Sequence, residues 1–480
     1  MMMEAALHHR REFMKRTGKT LMGAAALTKL TGAAAASAQE KLNFVVILID
    51  DMGWTDLHCF GSDFYETPNI DRLAAQGMKF TNAYSACTVC SPTRASLLTG
   101  KYPATLRLTD WIAGHKRPWA KLSVPEFNQE LPLQEKTIAE MLKPLGYVCG
   151  SIGKWHLGTE PFFPDKQGFD VNIAGTELGQ PRAGYFSPYK IPTLADGPEG
   201  EYLTDRMGVE AVKFIQENKN RPFFLYLPHF AVHTPLQAKK ELIEKYKTKI
   251  QPDADQKNSV YAAMIQCTDE AVGKVMTALE KAKIADKTVV IFTSDNGGLI
   301  GSTSNKPLRA GKGSAYEGGV RVPAIVRWPG VVEQGSVCEE PIISADIYPA
   351  IREISGARDE NSSVEGVSFL PLLRRTRGLK REALYWHYPH YHPGGAAPYS
   401  AIRKGDWRLI EFFEERRLEL YNLKEDIGET KNLAEIMPEK TQELYAMLAE
   451  WRRKCNAQFP AINPDYDPAR EKDGPGGRRK

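Results

Sequence analysis

Four runs of apolar residues, none alternating with polar ones, each stop at a cluster of polar side chains, and this limits the folds open to the chain. Leu42 to Ile49 stops at Asp50-Asp51, and Thr288 to Thr293 at Ser294-Asp295-Asn296-Gly297-Gly298. Tyr147 to Ile152 leads into Gly153-Lys154-Trp155-His156, and Phe223 to Leu227 into a stretch ending His233-Thr234-Pro235. Continuous runs of this kind suit strands buried on both faces of a mostly parallel sheet. Apolar spacing near 3.6 predicts helices between them, from Thr67-Pro68 towards Gly77, over Lys136 to Leu145, Glu201 to Asn218 and Ser259 to Ala282. Strands alternating with helices imply an α/β layered domain. Ligands of such sheets gather beyond the carboxyl ends of the strands, which is where all four polar clusters fall.

A chain of 480 residues, 42% hydrophobic and 25% charged, can bury a sizeable core and has room for two or three domains. The α/β domain is expected over residues 41–375. A smaller α+β subdomain follows over 376–460. Its strands are read at Tyr399 to Arg408 and Leu418 to Leu423, around a charged turn, with an amphipathic closing helix from Glu439 to Lys454. Residues 461–480, rich in proline, glycine and charge, are expected to be a disordered tail.

The first 38 residues carry an address. His9-Arg10-Arg11-Glu12-Phe13-Met14-Lys15 is a twin-arginine pattern, followed by an alanine-rich run from Leu21 to Ala36 and a small-residue cleavage site at Ala36-Ser37-Ala38. A basic amphipathic first helix is the alternative, but Lys29 within a Gly/Ala-rich stretch suits neither a core helix nor a membrane span. The segment should be removed on export through the twin-arginine machinery, leaving the protein periplasmic or secreted. No other segment approaches the roughly 18 apolar residues of a span, so no stable membrane insertion is expected. The net charge of +4 is concentrated in the signal segment and in Gly474 to Lys480, which gives nucleic-acid binding no clustered support. Seven cysteines at irregular spacings form neither a small disulfide framework nor a zinc pattern.

One of them stands apart. In Cys90-Ser91-Pro92-Thr93-Arg94-Ala95-Ser96-Leu97-Leu98-Thr99-Gly100, Pro92 is pre-set for a first helical position. Cys90 would then face free backbone donors at the positive end of a helix, with Arg94 on the same face one turn on. A buried small hydrophobe, or a redox pair with Cys87, are the other readings of this cysteine. Asp50, Asp51, Asp295 and Asn296 supply four hard side-chain oxygens and no sulfur, as calcium or magnesium prefers, with calcium the expected ion. A lone Asp-Asp pair after a strand is more often a capping or solvated turn. Two such sets at like strand ends, beside Cys90 and Arg94, weigh the other way.

The pattern C-x-P-x-R followed by A-S-L-L-T-G resembles the signature of the type I sulfatases, arylsulfatase-like enzymes of the alkaline phosphatase-like superfamily. Gly153-Lys154-Trp155-His156-Leu157-Gly158, His233-Thr234-Pro235, and Lys312 within Arg309 to Gly319 are similar to further elements of that family. So are Leu420-Tyr421-Asn422-Leu423 and Glu429-Thr430-Lys431-Asn432-Leu433, so that the likeness spans roughly residues 41 to 455 with no departure at a catalytic anchor. The resemblance implies a large mixed, mostly parallel sheet sandwiched by helices, with a small C-terminal antiparallel sheet.

For the site, the resemblance implies that Cys90 is oxidised to formylglycine by a formylglycine-generating or anaerobic sulfatase-maturating enzyme, and that Asp50, Asp51, Asp295 and Asn296 hold a divalent cation with residue 90. Lys154, His156, His233 and Lys312 would contact the sulfate, and Arg94 would hold the nucleophile in place. A sulfate ester is already anionic and its alkoxide leaves poorly, so cations beside the sulfate and a proton donor beside the leaving oxygen are needed. In the implied mechanism a hydroxyl of the hydrated aldehyde, assisted by Asp295, attacks sulfur while His233 protonates the leaving alcohol. His156 then deprotonates the second hydroxyl and sulfate is expelled.

A sulfated polysaccharide or glycosaminoglycan fragment is the expected substrate. The segments Leu106 to Gln134 and Gly175 to Gly200 are the expected cleft walls. The aromatic tract from Tyr385 to Pro393 suits a sugar platform, a metal tract or plain core. The rival readings are a phosphomonoester or phosphonate hydrolase of the same superfamily, needing two zinc ions, and a noncatalytic carbohydrate-binding protein.

Overall fold

The computed structural model describes residues 41–358 and 363–470; the signal-segment reading lies outside the described residues. Nine strands form the principal sheet: β1 Asn43–Ile49, β2 Met78–Tyr84, β3 Val148–Ile152, β4 Val171–Ile173, β5 Phe223–Pro228, β6 Thr288–Ser294, β7 Arg321–Arg327, β8 Ser336–Cys338 and β9 Ile342–Ile343. Their order is β9-β2-β7-β6-β1-β5-β3-β4, with β8 pairing β2. Every pairing is parallel except those of β7, which runs antiparallel to β2 and β6. The sheet is therefore mixed and mostly parallel, as expected, and the four strands read from the sequence, neighbours in the order β6-β1-β5-β3, lie within a residue or two of the expected boundaries.

The lack of alternation in β1 has a simple cause: all seven of its residues are buried. Val45, Ile47 and Ile49 face one core, with the helices α1 Pro68–Ala75, α3 Leu203–Asn218 and α4 Ser259–Lys281. Phe44, Val46 and Leu48 face another, with α2 Cys90–Thr99 and α5 Ile347–Ser355. Register then brings the strand ends together. Ile49 pairs with Ser294 and Leu48 with Pro228, so the residues just beyond β1, β5 and β6 emerge side by side. Two glycines let the emerging chains cross closely. A Cβ on Gly153 would lie 1.9 Å from the Pro228 carbonyl oxygen, and one on Gly297 would lie 1.8 Å from that of Gly318.

A second, antiparallel sheet is built from β10 Leu384–Tyr388, β11 Tyr399–Lys404, β12 Trp407–Phe412 and β13 Arg417–Asn422, closed by α6 Pro438–Lys454. The charged turn expected here is Gly405-Asp406, between β11 and β12 within the stretch Tyr399 to Arg408. Leu444 and Leu448 of α6 pack in a core with Ile402, Leu409 and Leu420. That core also takes in Cys87 and Val89, so the small sheet is joined to the segment that leads into α2.

Residues 461–470 correct the expectation of a disordered tail. Ala461–Ile462 pair with Leu122–Ser123, and the Asn463 amide donates to the carbonyls of Pro118 and Ala120 at 2.7 and 2.6 Å. Arg470 lies 4.0 Å above the Trp119 ring. Composition missed this because specific hydrogen bonds and one cation-π contact, not apolar burial, dock the segment. Residues 471–480 lie outside the described residues.

Among the described residues no helix is long and apolar enough to cross a membrane. Leu444→Ala removes a fully buried side chain from the small core and is expected to cost about 2–5 kcal/mol. Chemical denaturation at constant slope checks this, and a cost near zero would contradict the packing.

Candidate active site

The helix α2 begins at Cys90 itself, so Pro92 occupies its third position instead of the first, still among the first four residues, whose N–H groups have no partner within the helix. Cys90 and Arg94, one turn apart, converge on the ends of β1 and β6. The Cys90 Sγ lies 3.6 Å from Asp50 Oδ1 and 3.5 Å from Lys312 Nζ. Arg94 donates from Nε and Nη2 to Asp295 Oδ2 at 3.0 and 2.7 Å, and from Nη1 to the Lys154 carbonyl at 2.9 Å. Lys154 Nζ donates to Asp50 Oδ2 at 2.7 Å, and Lys312 Nζ to Asp51 Oδ1 at 2.7 Å. Asn296 Nδ2 donates to Asp51 Oδ1 at 2.8 Å. The structure thus brings together Asp50, Asp51, Cys90, Arg94, Lys154, His156, His233, Asp295, Asn296 and Lys312 from six separate stretches of chain.

Burial governs the protonation states here. It pushes Asp50 up to about 7, reinforced by Asp295 and opposed by Lys154. For Asp51 burial pulls the same way but loses to Lys312, His233 and the hydrogen bonds from Lys312 and Asn296, which hold the carboxyl below its ordinary range. Burial lifts the Cys90 thiol to about 12, against the pull of Lys154 and Lys312. Burial, with Lys312, lowers His233 to about 3, leaving a neutral imidazole.

The two histidines are held in defined tautomers. His233 Nδ1 donates to the Thr234 carbonyl at 2.8 Å, which leaves the Nε2 lone pair 3.7 Å from Asp51 Oδ2. His156 Nε2 donates to the Ile112 carbonyl, so its buried, unpartnered Nδ1 keeps a lone pair. Asp51 and His156 both hold left-handed backbone, at φ 61° and 59°, a conformation that costs a side-chain-bearing residue about 1–3 kcal/mol. His229, the other histidine of its stretch, is fully buried and does not line the cleft.

A cleft of about 490 Å³ opens above Cys90, Asp51, His156, His233 and Lys312. Its lining includes Trp111 and Ile112 from one of the two expected wall segments and Glu177, Gln180 and Arg182 from the other. The aromatic tract is mostly core: Trp386 donates to the Ser85 carbonyl at 2.9 Å, Tyr388 to Asp110 at 2.7 Å, and His390 contacts Thr109 at 2.8 Å. Only its last histidine, His392, reaches the cleft, a contribution the sequence did not single out.

The donor set fits a hard dication. Ligand atoms of Asp50, Asp51, Cys90 and His233 lie within 4.8 Å of one another. The buried Asn296 Oδ1 has no hydrogen-bond partner, and His233 Nε2 and Asp51 Oδ2 face each other as two lone pairs. Asp295, expected in the same set, has both oxygens engaged, by Arg94 and by the Asp51 N–H at 3.2 Å. Oxygen donors in this number suit calcium or magnesium better than zinc.

A second buried charge cluster, also unforeseen, grips the loop that carries Lys312. Arg408, fully buried, pairs with Glu317 Oε1 at 2.5 Å, donates to the Ala315 carbonyl at 2.7 Å and lies 3.4 Å from Glu429 Oε1. Glu429 Oε2 accepts from the Glu317 N–H at 2.7 Å, and its carbonyl accepts from Arg309 at 2.8 Å. Both flanks of Lys312 are thereby tied to the small sheet. Arg408→Met takes from Glu429 its paired cation and from Glu317 one of two, Arg321 remaining at 3.3 Å, and is expected to cost about 3–5 kcal/mol. Adding Glu317→Gln should recover part of that loss in a denaturation series; a cost below that of an ordinary surface substitution would contradict the cluster's role.

Comparison with known proteins agrees with this geometry. The family model described as Sulfatase matches residues 42–357, and that described as N-sulphoglucosamine sulphohydrolase, C-terminal, matches 311–457. A sulfatase of Formosa agariphila is 34% identical, covering 88% of this chain and 90% of its own. N-acetylgalactosamine-6-sulfatase of Homo sapiens is 33% identical over 74% of this chain and 70% of its own. The crystal structure of Ps i-CgsB, also solved in complex with k-i-k-neocarrahexaose, superposes with a TM-score of 0.74 at 30% identity, over 89% of this chain and 95% of that one. The phosphonate monoester hydrolase of Agrobacterium radiobacter, at 19% identity and a TM-score of 0.66, shares the fold alone. The chain belongs to the sulfatase family, enzymes that hydrolyse sulfuric esters on an alkaline phosphatase-like fold.

Proposed function

We propose that this sulfatase is exported and removes sulfate from sulfated polysaccharide or glycosaminoglycan fragments, with a formylglycine made from Cys90 and one bound calcium ion. One observation carries the reading: the Cys90 sulfur stands at the foot of the cleft, 3.6 Å from Asp50 and 3.5 Å from Lys312, with ligand atoms of Asp50, Asp51 and His233 within 4.8 Å of it and of one another. A side chain seated among the metal ligands and open to the cleft is where a hydrated aldehyde would meet both the dication and the sulfate. The saccharide class is supported by the named substrates and ligand of the relatives, N-acetylgalactosamine 6-sulfate and a neocarrahexaose.

Asp50, Asp51, Asp295 and Asn296 would hold the calcium, with residue 90 beside it. Bound there, the ion supplies positive charge against the sulfate and polarises an oxygen of the hydrated aldehyde. The chain's own side chains do the rest. Lys154 and Lys312, which pair with Asp50 and Asp51, supply the positive charge that neutralises the equatorial sulfate oxygens. Arg94 keeps residue 90 in line through Asp295. His233, whose Nδ1–H is fixed on Thr234, aims Nε2 into the cleft. Loading an anionic ester offsets the burial that keeps this ring neutral, and the charged ring protonates the leaving oxygen. His156, with the lone pair of Nδ1 unpartnered, accepts the proton whose loss frees the enzyme from sulfate.

The phosphatase rival needs a second metal set. Among the described residues the only group of three or more close ligands is the Asp50, Asp51, Cys90 and His233 quartet. The proposed partners are therefore a sulfated saccharide, a maturation enzyme acting on Cys90 and the twin-arginine export machinery.

Mass spectrometry of the peptide bearing residue 90, from a host able to mature it, tests the reading: an aldehyde is expected, and a free thiol in an active enzyme would overturn it. Cys90→Ser should release at most one equivalent of product, because serine has no second hydroxyl with which to expel the sulfate; sustained turnover at the unsubstituted rate contradicts the mechanism. Stripping divalent ions with a chelator should abolish sulfate release, with calcium restoring it and zinc failing to.

A further inference from the structure

One wall of the cleft carries a charge of the wrong sign for the anion beneath it. Glu177 lines the cleft together with Cys90, His156 and Lys312. It is half-buried, and among the described residues its carboxylate has no hydrogen-bond or ion-pair partner. Arg182, from the same wall, does not pair with it. Glu177 also lines a neighbouring cavity whose other charged residues are Glu160, Asp165 and Lys166, and Lys166 is taken up by Asp165 at 2.6 Å.

This carboxylate is held in place by its surroundings. The His156 N–H donates to the Thr176 carbonyl at 2.9 Å, and the buried Thr176 and Leu178 flank Glu177 on either side. Gly179 lies against the His156 ring, where a Cβ would stand 2.7 Å from Cε1. Asn172 closes the turn behind them, accepting from the Gly175 N–H at 3.0 Å and donating to the Gly175 carbonyl at 3.1 Å. The backbone that bears Glu177 is therefore fixed relative to His156.

An unpaired carboxylate repels an arriving sulfate. It also loses water as the substrate docks, and those hydrogen bonds must be replaced. The sulfate has no donor to offer, whereas ring hydroxyls do, and the two oxygens of one carboxylate can accept from adjacent hydroxyls. We infer that Glu177 is a specificity-determining residue that accepts hydrogen bonds from hydroxyls of the sugar carrying the cleaved sulfate. The ring face it recognises is uncharged and bears hydroxyls, and a second anion on that face is turned away by like charge. This rests on the sulfatase reading above and narrows it.

The test uses the matured full chain and the monosulfated sugar it cleaves fastest in a panel, with p-nitrophenyl sulfate as a substrate that offers no hydroxyl. Replacing the ring hydroxyls by hydrogen one at a time should identify one or two whose loss lowers kcat/KM about tenfold, the scale of a hydrogen bond to a charged group. In Glu177→Ala those same hydroxyls should cease to matter, and the ratio of sugar to p-nitrophenyl sulfate should fall by about that factor. Glu177→Gln keeps one acceptor oxygen and sheds the charge. It should retain part of the hydroxyl dependence and gain on a sugar with a second sulfate at the identified hydroxyl, which the unsubstituted enzyme rejects. Neither substitution removes a partner from the fold. A flat hydroxyl series in the unsubstituted enzyme overturns the inference, as does a hydroxyl dependence that survives unchanged in Glu177→Ala. Cleavage of p-nitrophenyl sulfate but of no sulfated sugar overturns it together with the saccharide class. Failure to release sulfate from any substrate overturns the sulfatase reading itself.

Discussion

Everything at the catalytic end of this molecule depends on the mutual neutralisation of buried charge. Asp50, Asp51 and Asp295 meet Arg94, Lys154 and Lys312 with almost no access to water. Isolated, any one of these groups would carry a desolvation cost of several kcal/mol. Burying six together is a poor way to gain stability, since apolar residues of similar size would do as well or better. The arrangement suits the proposed chemistry instead: the cations are already in place around the thiol position, where an anionic ester would need them.

The fold supplies that arrangement through register. Because β1 pairs with both β5 and β6 in parallel, three chains leave the sheet at one level, and the close glycine contacts at Gly153 and Gly297 let their loops interleave. The small sheet is part of the same device. Through Arg408, Glu317 and Glu429 it fixes the loop of Lys312, and through His392 it reaches the cleft wall. It contributes to the active site through these residues and is not merely appended to it.

The principal strands and the charged residues at their ends were legible in the sequence, because doubly buried strands write themselves as unbroken apolar runs and the acidic clusters interrupt them. Cys90, Lys154, His156, His233 and Lys312 were found by their motifs; all but Lys154 line the cleft, and Lys154 is buried behind it on Asp50. Arg408 and Glu317 were not legible. A charge in a strand or after a loop reads as a solvated position, and only three-dimensional packing shows it to be enclosed. His392 was obscured for the opposite reason, since it ends a tract whose other aromatic residues are core. The docked segment 461–470 shows the same limit: its composition speaks of disorder, whereas its hydrogen bonds to Pro118 and Ala120 depend on a partner some 340 residues away.

The oxidised state of residue 90 and the cation beside it remain the centre of the account, and one structure addresses both. In crystals of the matured enzyme grown with calcium, the account predicts density for a cation about 2.3–2.6 Å from side-chain oxygens of Asp50, Asp51, Asp295 and Asn296, with oxygen in place of sulfur at residue 90 turned towards it. A sulfur atom at that position, packed away from any ion, would contradict it.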